Sequence, residues 1–178
     1  LLKGIGAAST AATFAGCLGD DSCDPPEAGA DRSGCNYSGQ DFSGEDLSEA
    51  TLANADLSGA DLSETDLTGA DLTNAVLVDA NLANADLTSA TLRDADMTHT
   101  NFEEATLTEA DLGDARIEGT SFINADLTAA NLSDTWGVED TWELSDIGES
   151  SRPNNYTVFK GATLVDAKLR SAFIAGAN

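Results

Sequence analysis

The stretch ADLSGADLSETDLTGADL, residues 55–72, places Leu57, Leu62, Leu67 and Leu72 at intervals of five. A helix repeats its faces every 3.6 residues and a strand every 2, so neither accounts for this beat. Followed outward, it runs without a slip from Tyr37 to Leu132, giving 20 large apolar positions, among them Phe42, Leu47, Leu52, Phe122 and Leu127. Two residues before each lies a small one, usually alanine as at Ala50, Ala60 and Ala95, sometimes Thr65, Thr100 or Thr120. Gln40 and Glu45 break that rule near the start. The other three positions of each unit are almost all Asp, Asn, Ser, Thr, Gly or Glu.

Five residues with one small and one large apolar side chain cannot bury a core alone. The chain must wind so that these positions point inward and successive turns stack on one another. The tandem A(D/N)LXX units, over residues 36–135 and again over about 157–178, resemble the pentapeptide-repeat family. The resemblance implies an all-β fold, a right-handed quadrilateral parallel β-helix with four units per turn. Five turns at the roughly 4.8 Å strand spacing would be about 24 Å long.

The chain has 178 residues, enough for one domain, with 32 acids, 8 bases and a net charge of −24. Direct binding to nucleic acid or to an anionic membrane face is disfavoured, because phosphates call for Lys and Arg. No run of 18 apolar residues is present to span a bilayer. With 20 residues per turn, Asp46, Asp66, Asp86 and Asp126 fall in one outward column, interrupted by Thr106. Charges about 4.8 Å apart repel by roughly 0.9 kcal/mol even in water, and the Debye length shrinks to about 3 Å at about 1 M salt. The column is easiest to hold in brine. It reads either as the surface of a halophilic protein or as an anionic stripe that mimics a polyanion or attracts cations.

Residues 1–16, LLKGIGAASTAATFAG, begin without Met, so a start upstream is expected. Leu1-Leu2-Lys3 resembles the tail of a twin-arginine (Tat) export motif, followed by a weakly apolar stretch. Phe14-Ala15-Gly16-Cys17 resembles a lipobox of the haloarchaeal lipoprotein type, which implies lipidation of Cys17 and an extracytoplasmic protein anchored to the outer face of the cell membrane. Such a segment is excluded from the fold. Residues 17–35 then form an acidic tether and N-terminal cap. An exported chain permits disulfides, and Cys23 paired with Cys35 would staple the tether across the open end of the coil. The other reading leaves Cys35 in place of an inward alanine and Cys23 free.

The beat stops after the unit of Leu132 and resumes at Phe159, Leu164, Leu169 and Ile174, an offset of 27 between residues 132 and 159. Residues 136–157 therefore read as an inserted loop between a solenoid at 36–135 and a final turn at 158–178. Trp142 and Ile147 keep the old phase, so the coil would continue briefly on one side. Trp136 and Trp142 are candidates to anchor a partner, as exposed Trp does at binding hot spots, or to pack the loop onto the coil. The final turn is richer in bases and apolar residues and ends mid-unit at Asn178. An end-to-end homodimer, known for some members of the family it resembles, would cover it.

No catalytic constellation is visible. His99, the single histidine, holds an outward polar position. Two cysteines without a nearby His make a poor metal site, Ca²⁺ wants 6–8 converging oxygens, and no cofactor is expected. Two functions remain open. The first is a non-enzymatic cell-surface lipoprotein, a rigid acidic scaffold for an unknown protein partner. The second is a DNA-mimicking rod acting on a type II topoisomerase, as the quinolone-resistance members of the resembled family do; an export signal would keep the chain away from that target.

Overall fold

The computed structural model describes residues 23–136 and 157–168. Within them the chain forms a four-sided coil in which each unit contributes one bridging residue, paired in parallel with the residue 20 positions later. The first side climbs through Asp31, Thr51, Asp71, Thr91, Asp111, Asn131 and Lys168; the second through Asn36, Asp56, Val76, Asp96, Arg116 and Trp136. The third side carries Asp41, Asp61, Asn81, Asn101, Ser121 and Val158, and the fourth Asp46, Asp66, Asp86, Thr106, Asp126 and Thr163. Six steps on the first side make a rod of about 29 Å at the strand spacing.

The five-residue unit closes at its corner. The N–H of Ala60 donates to the carbonyl of Leu57 at 3.0 Å, and Gly59 between them has φ +64°. A four-residue turn with positive φ at its third position is the type II pattern. Gly, Asn and Asp tolerate that left-handed region best, and they hold most such corners, although Glu49, Ser89, His99 and Ala129 also adopt it. The N–H of each large inward residue donates upward to the next layer, as Leu67 does to the Asp86 carbonyl at 2.7 Å. The turns thus stack as a continuous parallel ladder.

The large residues from Tyr37 to Leu132 are almost fully buried, and the small alanines close the corners beside them. Inward threonines satisfy their hydroxyls on the layer below: Thr100 donates to the Leu77 carbonyl and Thr120 to that of Met97, both at 2.7 Å. Gln40 and Glu45 depart from the small-residue rule in the lowest described layer, where no described turn beneath them needs the space; Glu45 is exposed.

The ladder starts at Asp31, one unit before the expected beginning of the solenoid. Its upper part differs more. Trp136, expected in the inserted loop, is a coil residue bridged to Arg116. The third side then resumes with Val158 on Ser121, 37 residues later instead of 20, so 17 residues are added between two sides while the stack continues. Phe159 rests on Phe122 with ring centroids 4.9 Å apart. That is the place the old phase would have given Trp142. Trp142 itself, Ile147 and residues 169–178 lie outside the described residues, as do Cys17 and residues 1–16.

Candidate functional site

Asp46, Asp66 and Asp86 are stacked on the fourth side, and Asp126 stands two steps above Asp86, across Thr106. The first three are exposed and Asp126 is half-buried. Each carboxylate also serves the fold. Oδ1 of Asp46 accepts the N–H of Ser48 at 3.1 Å and its hydroxyl at 2.6 Å. Asp86 accepts both groups of Thr88, Asp126 both groups of Thr128, and Asp66 the N–H of Thr68. An acceptor reaching the N–H two residues on is an Asx turn. The same bond recurs on other sides, from Asp31 to Asn131. The hydroxyl of Ser48, then its N–H, holds the Asp46 carboxyl below its ordinary range; Ser33, Ser43 and Thr128 do the same for Asp31, Asp41 and Asp126. Much of the acidity is thus turn chemistry, legible in the D-x-S/T triplets that charge counting overlooked.

The arginines among the described residues are built into the surface. Arg93 reaches Asp111 at 3.4 Å and also pairs with Asp114. Gly113 makes room for it: a Cβ there would meet Nη1 of Arg93 at 2.5 Å. Arg116 pairs with Asp96 at 3.5 Å and Glu118 at 2.6 Å, and its guanidinium lies 5.2 Å from the ring centroid of Trp136, a cation–π contact. These ion pairs raise the affinity of both guanidinium groups for their protons.

Trp136 is 53% exposed, and Val158 and Val165 are 37% and 57% exposed, so the topmost layer carries three of the four exposed large hydrophobic residues among the described residues. Lys160 and Lys168 belong to the same layer. The fourth such residue, Val76, lies lower on the second side. The upper end is therefore the least acidic and most apolar part of the described rod.

The lower end is closed. Cys23 and Cys35 form a disulfide with Cα atoms 5.6 Å apart. Pro26 is buried beneath the first turn. The carbonyl of Asp24 accepts the Tyr37 hydroxyl at 2.7 Å and Nε of Arg32 at 3.1 Å. Tyr37 and Phe42 meet edge to face above this strap, centroids 5.4 Å apart. Arg32, in an inward position one unit before Tyr37, points its charge to the end of the coil instead of a core that has stopped.

His99 sits at a left-handed corner with Nδ1 3.5 Å from Oδ1 of Asp79. Among the described residues no cluster of three or more His, Cys, Asp or Glu could hold a metal ion, and no helix is long and apolar enough to cross a membrane.

The chain is similar to a pentapeptide repeat protein from the Arabidopsis thaliana thylakoid lumen: 33% identity, 60% of this chain and 71% of that one covered, TM-score 0.39. It is also similar to HetL, involved in heterocyst differentiation regulation in the cyanobacterium Nostoc sp. strain PCC 7120, at 23% identity, with 80% and 86% covered and a TM-score of 0.39. QnrB1, a plasmid-mediated fluoroquinolone resistance protein, matches at 17% identity over 80% of this chain and 74% of its own, TM-score 0.36. No curated protein matches. The model of pentapeptide repeats matches residues 33–69, 65–103 and 105–136 with 8 copies. With the four-sided ladder already described, this makes the coil a right-handed quadrilateral β-helix and the chain a member of the pentapeptide-repeat family.

Proposed function

We propose that this repeat scaffold is a non-enzymatic, extracytoplasmic lipoprotein of a salt-adapted cell, anchored through Cys17 and offering its upper end to a protein partner. The observation that carries the reading is the Cys23–Cys35 disulfide, six residues beyond the lipobox-like cysteine. Structural disulfides persist in oxidising compartments and are rare in the cytosol. A diacyl modification of Cys17 would supply the two chains that stable anchoring needs. The rod would then stand off the membrane on its tether, closed end down. Trp136, Val158 and Val165, exposed on three different sides of the upper turn, would offer a partner apolar contacts at this end, and Trp is favoured at such anchors. A second copy meeting the first end to end is one candidate partner, because the upper layer repels a like chain least.

The deciding experiment is the intact mass of the mature protein, expressed from the complete gene in a related host and fractionated. A membrane-bound species beginning at Cys17 with added lipid supports the reading. An unprocessed soluble species overturns it and directs the next assay to DNA supercoiling by a type II topoisomerase. Salt adaptation has its own check: the melting temperature should rise steeply from about 0.1 M to about 3 M KCl, as column repulsion is screened.

A further inference from the structure

We propose that the Cys23–Cys35 disulfide is a redox-operated latch on the lower end of the rod: an external dithiol opens the first layer and leaves the turns above it folded. Reduction is directional. Cys35 is 7% exposed and fills an inward corner, whereas Cys23 is only partly buried. An attacking thiolate therefore meets the sulfur of Cys23, forms a mixed disulfide there and expels the Cys35 thiolate, which takes up a proton. The second thiol of the dithiol then displaces Cys23 as its thiol, so the dithiol is oxidised and the protein disulfide reduced.

The response stays local for two reasons. In a stacked solenoid each layer is held by its neighbours, and among the described residues the first layer has a bridged neighbour on one side only. It is also less apolar than the layers above: Arg32, Gln40 and Glu45 take inward positions that are apolar or small higher up, beside the buried Tyr37, Phe42 and Leu47. Once the disulfide is gone, the strap at residues 24–26 keeps the two bonds to the Asp24 carbonyl and the burial of Pro26, and the layer keeps its backbone bonds to the second layer, such as the Arg32 N–H to the Thr51 carbonyl at 2.7 Å. An end position, exposed corners and polar side chains at three inward positions are the marks of a segment that opens before the rest. The corner vacated by Cys35 accepts alanine, the residue found at most equivalent positions, so the latch can be removed without disturbing the coil. The proposal stands whether or not Cys17 carries lipid.

Trypsin provides the test, because Arg32 lies in the latched layer while Arg93 and Arg116 lie in the upper half of the described stack. The full chain is digested with and without a dithiol, alongside the Cys23→Ser/Cys35→Ala double variant without reductant, and cleavage at each arginine is read by mass spectrometry after denaturation and full reduction. Cleavage after Arg32 is expected to accelerate about tenfold or more in both unlatched forms, with Arg93 and Arg116 unchanged, as local opening predicts. An unchanged rate at Arg32 would mean that the noncovalent strap suffices. Acceleration at all three sites would mean that the disulfide holds the whole rod. Either outcome overturns the latch.

Discussion

The third and fourth sides of the rod share one backbone and differ in almost every other respect. Inside, the third side stacks Phe102, Phe122 and Phe159, with centroids 5.2 and 4.9 Å apart, and runs a threonine ladder through Thr100, Thr120 and Thr157. The fourth side is built from leucines, with Leu47, Leu67 and Leu87 fully buried. Outside, the third side exchanges carboxylates for amides: Asn101 donates to Asn81, and Asn81 to Asp61, each at 3.0 Å. The fourth side sets aspartate on aspartate. One side joins its layers through outward hydrogen bonds; the other relies on backbone and core while its outward column repels. The repeat fixes inward volume and corner geometry and leaves outward charge free to vary.

The largest test of this contrast is Phe122→Ala. Removing the middle of the aromatic stack should cost about 3–5 kcal/mol in denaturant unfolding, against roughly 2–5 kcal/mol for Leu107→Ala, beside Thr106 on the fourth side. If the two losses coincide, the aromatic column adds nothing beyond volume. Next comes Asn81→Asp, which replaces the donor to Asp61 with a like charge. It should destabilise by about 1 kcal/mol at low salt and recover in molar KCl, while Asp86→Asn on the fourth side should do the reverse. Equal salt responses would erase the distinction between the columns.

Acid titration is expected to do less per group. The carboxyls of Asp31, Asp41, Asp46 and Asp126 are lowered from 3.8 by their turn hydrogen bonds. Their stabilising contribution is therefore complete above that value and lost as pH falls below it through the folded pKa. Melting curves should be flat in this contribution from neutral pH to about 5 and fall only in strong acid. The smallest expected effect is at a corner: Ala129→Gly relieves a φ of +58° and should gain about 0.5 kcal/mol, since relief of left-handed strain exceeds the added entropy of the unfolded chain. A loss there would show that Ala129 is held by contacts its neighbour Asn124 does not need.

Most of the fold was legible because the five-residue beat is redundant: any few units imply the same inward pattern. The upper end was less legible for a physical reason. Spacing reports a change of phase but not which side of the coil the chain rejoins, so Trp136 read as loop until its pairing with Arg116 placed it on the second side. The outward aspartates were visible as a charge column, yet the bond each makes two residues on was not, because net charge treats a turn acceptor and a free carboxylate alike. Gln40 and Glu45 read as lapses in the pattern; they mark where the stack ends.

The 17 residues added between Trp136 and Val158 also bear on how such a rod can vary. Each layer takes its position from the one beneath, so the coil keeps count by side and not by residue number. Extra sequence that leaves at one corner and returns at the next is invisible to the layers on either side of it. The rod therefore behaves as a rack with a hook at every corner, and peptides grafted at other corners should be displayed at heights set in steps of about 4.8 Å.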